Sequence, residues 1–216
     1  MTDQPVPGED PELDVDELRT ELAQIKDAMG IQERYEAAGE VWLFVAALVV
    51  VAAALSQYVH LEQLSQHLHT VIWLGVFGLG FGLWWVVSDQ PREMTWTTEG
   101  KPNIGLVFAI PYVASLPLQA VVGAYTGDIG YQAESAMVLA IILIMLGVAY
   151  GAMGTALKAY YIRRRDRLPF FAGMVLLMGV GVAIPTSPTL ERWAYAVFAG
   201  VYAIYALVTY AYLVRT

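Results

Sequence analysis

The chain has 216 residues, 57% of them hydrophobic and 15% charged, with a mean hydropathy of +0.52 and a formal net charge of −8. Soluble domains carry about a quarter charged residues, which excludes an ordinary water-soluble globule. With no cysteine in the sequence, disulfides, thiolate metal centres and palmitoyl anchors are excluded as well.

The charge is concentrated at the N-terminus. Residues 1–40 hold 12 of the 20 acidic residues against Arg19, Lys26 and Arg34, a net of −9, and the remainder comes to +1. That sign is wrong for nucleic-acid phosphates, so no nucleic-acid partner is expected. Acid excess with nine arginines against three lysines is compatible with a high-salt source. A cleavable signal needs a basic stretch followed quickly by an apolar run, and this acidic start has neither. Insertion is expected to begin at the first hydrophobic block.

Residues 1–12 contain Pro5, Pro7, Gly8 and Pro11 without an apolar pattern and read as a disordered acidic tail. A helix is expected over 13–38, capped by Asp14 or Asp16, with Leu18, Leu22, Ile25 and Met29 at 4-3-4 spacing. Such a stripe fits a self-associating coiled coil, a helix docked on its own protein, or one lying on the membrane surface.

A hydrocarbon core of about 30 Å needs about 20 helical residues. Six continuously apolar stretches meet that length, at about 41–59, 70–88, 104–125, 135–157, 168–185 and 193–214, and none has an ionisable residue in its interior. Helices satisfy their own backbone in lipid, whereas barrel strands would alternate in polarity. The expected fold is therefore all-α: a six-helix transmembrane bundle of three hairpins, spanning 41–214, with a short cytoplasmic N-terminal helix.

Orientation follows from the basic residues. With six spans, Arg19, Lys26, Arg34, Arg92, Lys101, Lys158, Arg163, Arg164, Arg165, Arg167 and Arg215 fall on one side and Arg192 on the other. Both termini are expected in the cytoplasm, with the protein in the cell membrane. Trp42, Trp84, Trp85, Tyr160 and Tyr161 would mark the inner boundary, and Tyr58, Trp73, Tyr125 and Trp193 the outer one.

Several features stand out as functional candidates. In the third span Pro111 and Pro117 free the carbonyls of Val107 and Val113 and are expected to bend the helix. Tyr112, Ser115 and Gln119 follow one polar stripe on that helix. In the sixth span Tyr195, Phe198, Tyr202, Tyr205, Thr209 and Tyr212 recur at 3-4-3-4-3 spacing. Buried tyrosine hydroxyls need partners, so spans three and six are expected to pack with Tyr202 and Tyr205 against the Tyr112/Ser115/Gln119 stripe, as helix glue or as a binding path.

Gly147/Gly151 in the fourth span and Gly78/Gly82 in the second are GxxxG pairs, which let helices approach closely. His60, His67 and His69 fall between spans one and two. His67 and His69 cannot share a helical face, and only Glu62 lies near enough to complete a shell, so no metal site is expected. With no histidine or cysteine inside a span, no haem or other cofactor is expected either. Leu61, Leu64 and Leu68 share a face and are expected to form an amphipathic surface helix. The run Arg163-Arg164-Arg165-Asp166-Arg167 reads as a topology determinant and anionic-lipid contact, or as the docking point of the acidic arm.

No triad, buried carboxylate pair or metal motif is present, so an enzyme is not expected. Pumps and voltage sensors carry charges inside their spans, and this chain does not. The sequence favours a non-catalytic membrane component (scaffold, accessory subunit or assembly factor) that binds the bilayer and either a second copy or another membrane subunit. The alternative is a channel or transporter for neutral or weakly polar solutes, lined by spans three and six.

Overall fold

The structure, a computed structural model, describes residues 38–87, 102–125 and 129–215, together with the single helical position Glu21. Among these residues every regular element is helical, and six helices are long and apolar enough to cross a membrane. They are α1 (Ala38–Leu61), α2 (His67–Val87), α3 (Ile104–Tyr125), α4 (Tyr131–Ala156), α5 (Arg164–Ala183) and, after the single-turn α6 (Pro188–Arg192), α7 (Ala194–Arg215). The expected 1–12 tail and 13–38 helix lie outside the described residues, Glu21 and Ala38 apart.

Helices α3 and α7 begin within one residue of their expected positions, while α1, α2, α4 and α5 begin three or four residues early. Helix α4 begins at Tyr131 and continues past Ala156 into a 3-10 turn, Leu157–Tyr160, and α5 begins at Arg164. Hydropathy marks where apolar side chains stop. At α5 the backbone ladder runs on, because long arginine side chains carry their charge away from the apolar layer.

Tight reversals join the helices at both ends. After α1, Gln63 adopts φ 52, and the Leu64 amide donates to the Val59 carbonyl at 3.0 Å. A left-handed residue with this 6→1 bond ends a helix outright. The surface helix expected over Leu61, Leu64 and Leu68 is thereby replaced by a turn, with Leu64 and Leu68 exposed. The same motif recurs after α4, where Tyr161 has φ 56 and the Ile162 amide reaches the Leu157 carbonyl at 3.3 Å. Helix α6 is started by Ser187, whose hydroxyl accepts from the Leu190 amide at 3.5 Å, with Pro188 at its first position.

The principal packed pairs are α4 with α5, α1 with α7, α3 with α4, and α1 with α2. The spans therefore group as two three-helix sets, α2–α1–α7 and α3–α4–α5. Within a set, small residues let backbones meet. Ala52, Ala53 and Ser56 of α1, and Ala194 and Ala206 of α7, are fully buried. Between the sets large rings do the joining, with Trp42 of α1 lying 5.9 Å from Tyr150 and 5.4 Å from Phe170.

Burial is uneven. In their most apolar windows, 50% of α4 is buried but only 6% of α2 and 6% of α3. Gly80 is the buried residue of α2, and Ser115 that of α3, among the described side chains. These two helices are flanks on a core made by α1, α4, α5 and α7.

Candidate functional site

The α7 seam turns inward. Tyr195, Phe198, Tyr202, Tyr205 and Thr209 are buried along it, because the 3-4 spacing keeps them on one face. Each of the three buried tyrosine hydroxyls finds a partner on the other set. The Tyr202 and Tyr150 hydroxyls are 2.7 Å apart, Tyr205 donates to the Pro169 carbonyl at 2.7 Å, and the Tyr195 and Ser135 hydroxyls are 3.2 Å apart. Trp42 completes the cluster edge-on to Tyr205 at 5.6 Å. Trp42, expected at the inner membrane boundary, is also a residue of the buried core.

The expected pairing of spans three and six does not form. Helix α3 packs on α4, and α3–α7 is not among the principal pairs. The polar stripe of α3 is satisfied locally: the buried Ser115 hydroxyl donates to the Tyr112 carbonyl at 2.6 Å and accepts from Gln119 Nε2 at 3.1 Å. The Tyr112 ring is exposed. Pro111 and Pro117 lie inside a helix that remains continuous from Ile104 to Tyr125. What places α3 is Phe108, whose ring meets Tyr150 edge-on at 5.8 Å. Tyr150 was missed in the sequence because it stands alone in an apolar span, with no periodic companion to mark it.

A second polar cluster occupies the opposite end of the core. His60 is fully buried, and its Nε2 donates to the Glu191 carbonyl at 2.9 Å. Its Nδ1 and the Ser56 hydroxyl one turn earlier are buried without a partner. His69 stacks flat on Tyr195 at 4.8 Å and 8°, with its Nε2 3.4 Å from the Tyr131 hydroxyl. His60 meets the same Tyr195 ring at 5.5 Å. Four helices thus converge on Tyr195. His67, the third histidine of the sequence cluster, is exposed.

Gln57 anchors this end. Its Nε2 donates to the Arg192 carbonyl at 2.8 Å, and its Oε1 accepts from the Ala196 amide at 2.9 Å. The first amides of a helix lack intrahelical partners, so a side chain of α1 caps the start of α7. Nothing in the local sequence announces a cap delivered from 139 residues away.

Comparison with protein-family models, curated proteins and solved structures finds no match for this chain.

The two glycine pairs separate. A methyl placed on Gly147 would lie 2.6 Å from Met178 Cγ and 3.0 Å from the Met174 carbonyl oxygen, and Gly151 lies against Met174 Sδ. Gly181 of α5 returns the contact, 2.8 Å from the Ala140 carbonyl oxygen. This pair seals α4 on α5. Gly78 and Gly82 have no atom near enough to touch, and the tight glycine of α2 is Gly80, against Leu48.

The arginine hairpin caps α5. Asp166 is buried with Arg165 Nε 3.6 Å from its Oδ1, and Arg167 reaches the Gly154 carbonyl at 3.5 Å. Arg164 and Lys158 are exposed, and Arg163 is half-buried. Among the described residues no group of three His, Cys, Asp or Glu side chains is placed to hold a metal.

Proposed function

We propose that the chain is a non-catalytic multi-pass component of the cell membrane, a scaffold or accessory subunit that binds another membrane helix through its flanking spans. The observation that carries this reading is the contrast between core and flanks. Interior tyrosine hydroxyls find partners across the core and their rings fill the centre, while α2 and α3 bury only 6% of their apolar windows. The open Gly75, Gly78 and Gly82 add to it, since glycine costs helix stability and offers lipid little to pack on.

Both termini belong in the cytoplasm on this reading, because eleven of the 12 basic residues then share that side. Single cysteines in this cysteine-free chain test the orientation. A membrane-impermeant maleimide applied to intact cells should label Gln63→Cys and spare Thr2→Cys; labelling of Thr2→Cys from outside reverses the layout.

Partner binding is tested by photo-crosslinkers in place of Leu79 on α2 and Val175 on α5, both exposed. A discrete adduct from position 79 and none from position 175 is the expected result. Crosslinks to lipid alone at both positions, with solute flux in reconstituted vesicles that Gln119→Leu abolishes, would replace a scaffold with a transporter.

A further inference from the structure

The start of α1 and the α4–α5 hairpin occupy the same end of the bundle. Trp42 lies 5.4 Å from Phe170, and Phe170 stands three residues beyond Arg167. The chain that precedes α1 therefore leaves the bundle within about two helix turns of the arginines.

That end of α5 is electrostatically uncomfortable. A helix N-terminus carries about half a positive charge and favours anions. Here Arg163 is the N-cap, and Arg164, Arg165 and Arg167 fill the first turn. Asp166 answers part of the charge through Arg165. Counting Lys158, the hairpin still holds five cations against one carboxylate.

We infer that this hairpin is the docking surface for the chain's own acidic segment, residues 13–37. Its acids Asp14, Glu17 and Glu21 recur at 3-4 spacing, with Asp16 beside them, so several carboxylates can meet the cluster together. Single exposed ion pairs contribute too little to hold a free peptide. Tethering changes this: a short linker raises the local concentration to the millimolar range, and the 16 residues between Glu21 and Ala38 reach the hairpin whether coiled or helical. An anionic lipid headgroup offers the same chemistry without the tether. The inference rests on where α1 begins and is independent of the partner-binding reading.

The test uses the full chain in nanodiscs of uncharged lipid, with spin labels at Gln24→Cys and Ala159→Cys. A single short distance is expected between the labels. It should be lost on replacing Arg163, Arg164 and Arg165 with glutamine. It should be lost equally on replacing Asp14, Asp16, Glu17 and Glu21 with their amides, substitutions that leave the membrane spans untouched. Exchanging the charges of both sets should restore it. A distance that neither neutralisation changes overturns the inference. So does an arginine variant that sheds bound phosphatidylglycerol in native mass spectrometry while the distance stays short.

Discussion

The hydroxyls of Tyr150 and Tyr202 share a 2.7 Å hydrogen bond that ties α4 to α7, one helix from each three-helix set. Tyr205 stands beside them with its own bond to Pro169, and Trp42 packs against both Tyr150 and Tyr205. The centre of the protein is consequently polar in its atoms yet closed in its bonding.

Tyr150→Phe and Tyr202→Phe should each destabilise the bundle by about 1 kcal/mol, the scale of a hydrogen bond between membrane helices. Because each single change strands the other hydroxyl, the double variant should lose less than the sum. Reversible unfolding in mixed micelles measures the cycle. Strict additivity would mean that the two hydroxyls do not interact.

Gln57→Ala should cost about 1–2 kcal/mol, since it leaves the Arg192 carbonyl and the Ala196 amide without their partner in a part-buried setting. Gln57→Glu should recover little of this. A carboxylate can still accept from Ala196 but has no donor for Arg192. Hydrogen exchange at the first turn of α7 reads the loss directly, and protection equal to the parent's in Gln57→Ala would rule out the cap.

The histidines should respond differently to the same substitution. His69→Phe keeps a flat ring on Tyr195 and gives up only a long contact to Tyr131, so thermal stability should change little. His60→Phe removes the 2.9 Å bond to the Glu191 carbonyl and should lower stability by about 1–3 kcal/mol. Equal effects on melting would contradict this division.

Gly147→Ala or Gly181→Ala should separate α4 from α5, because the added methyl meets backbone that cannot yield, at a cost of about 1–3 kcal/mol. Gly78→Ala meets nothing and should leave melting unchanged or raise it slightly, as alanine favours a helix over glycine. On the proposed function the same Gly78→Ala should weaken partner crosslinking at α2. Melting curves and crosslink yields together distinguish the two glycine pairs.

The helical spans were legible because lipid imposes length and continuity on any helix that crosses it. The inward face of α7 was legible because six residues kept strict register. Partners were not. Whether Tyr202 meets α3 or α4 depends on which helices have flat, small-residue faces that let others in, and Gly147 and Gly181 decide that by bringing α4 and α5 together. The Gly78/Gly82 pair shows the limit of a motif: spacing specifies a face that can be approached, and the facing helix decides whether it is. Gln57 escaped notice, and His60 was read only as one of a histidine cluster, for a related reason: their partners are backbone carbonyls and amides that no sequence pattern displays.

The pairing of α1 with α7 joins the first of these six spans to the last of them. Until Glu191, Arg192 and Ala196 have been made, His60 and Gln57 lack their partners, and the alanine face of α1 waits for α7 through the synthesis of four intervening spans. A chain cut off before that point leaves Gln57 and His60 without those bonds. Synthesis of α7 supplies the face that covers that of α1.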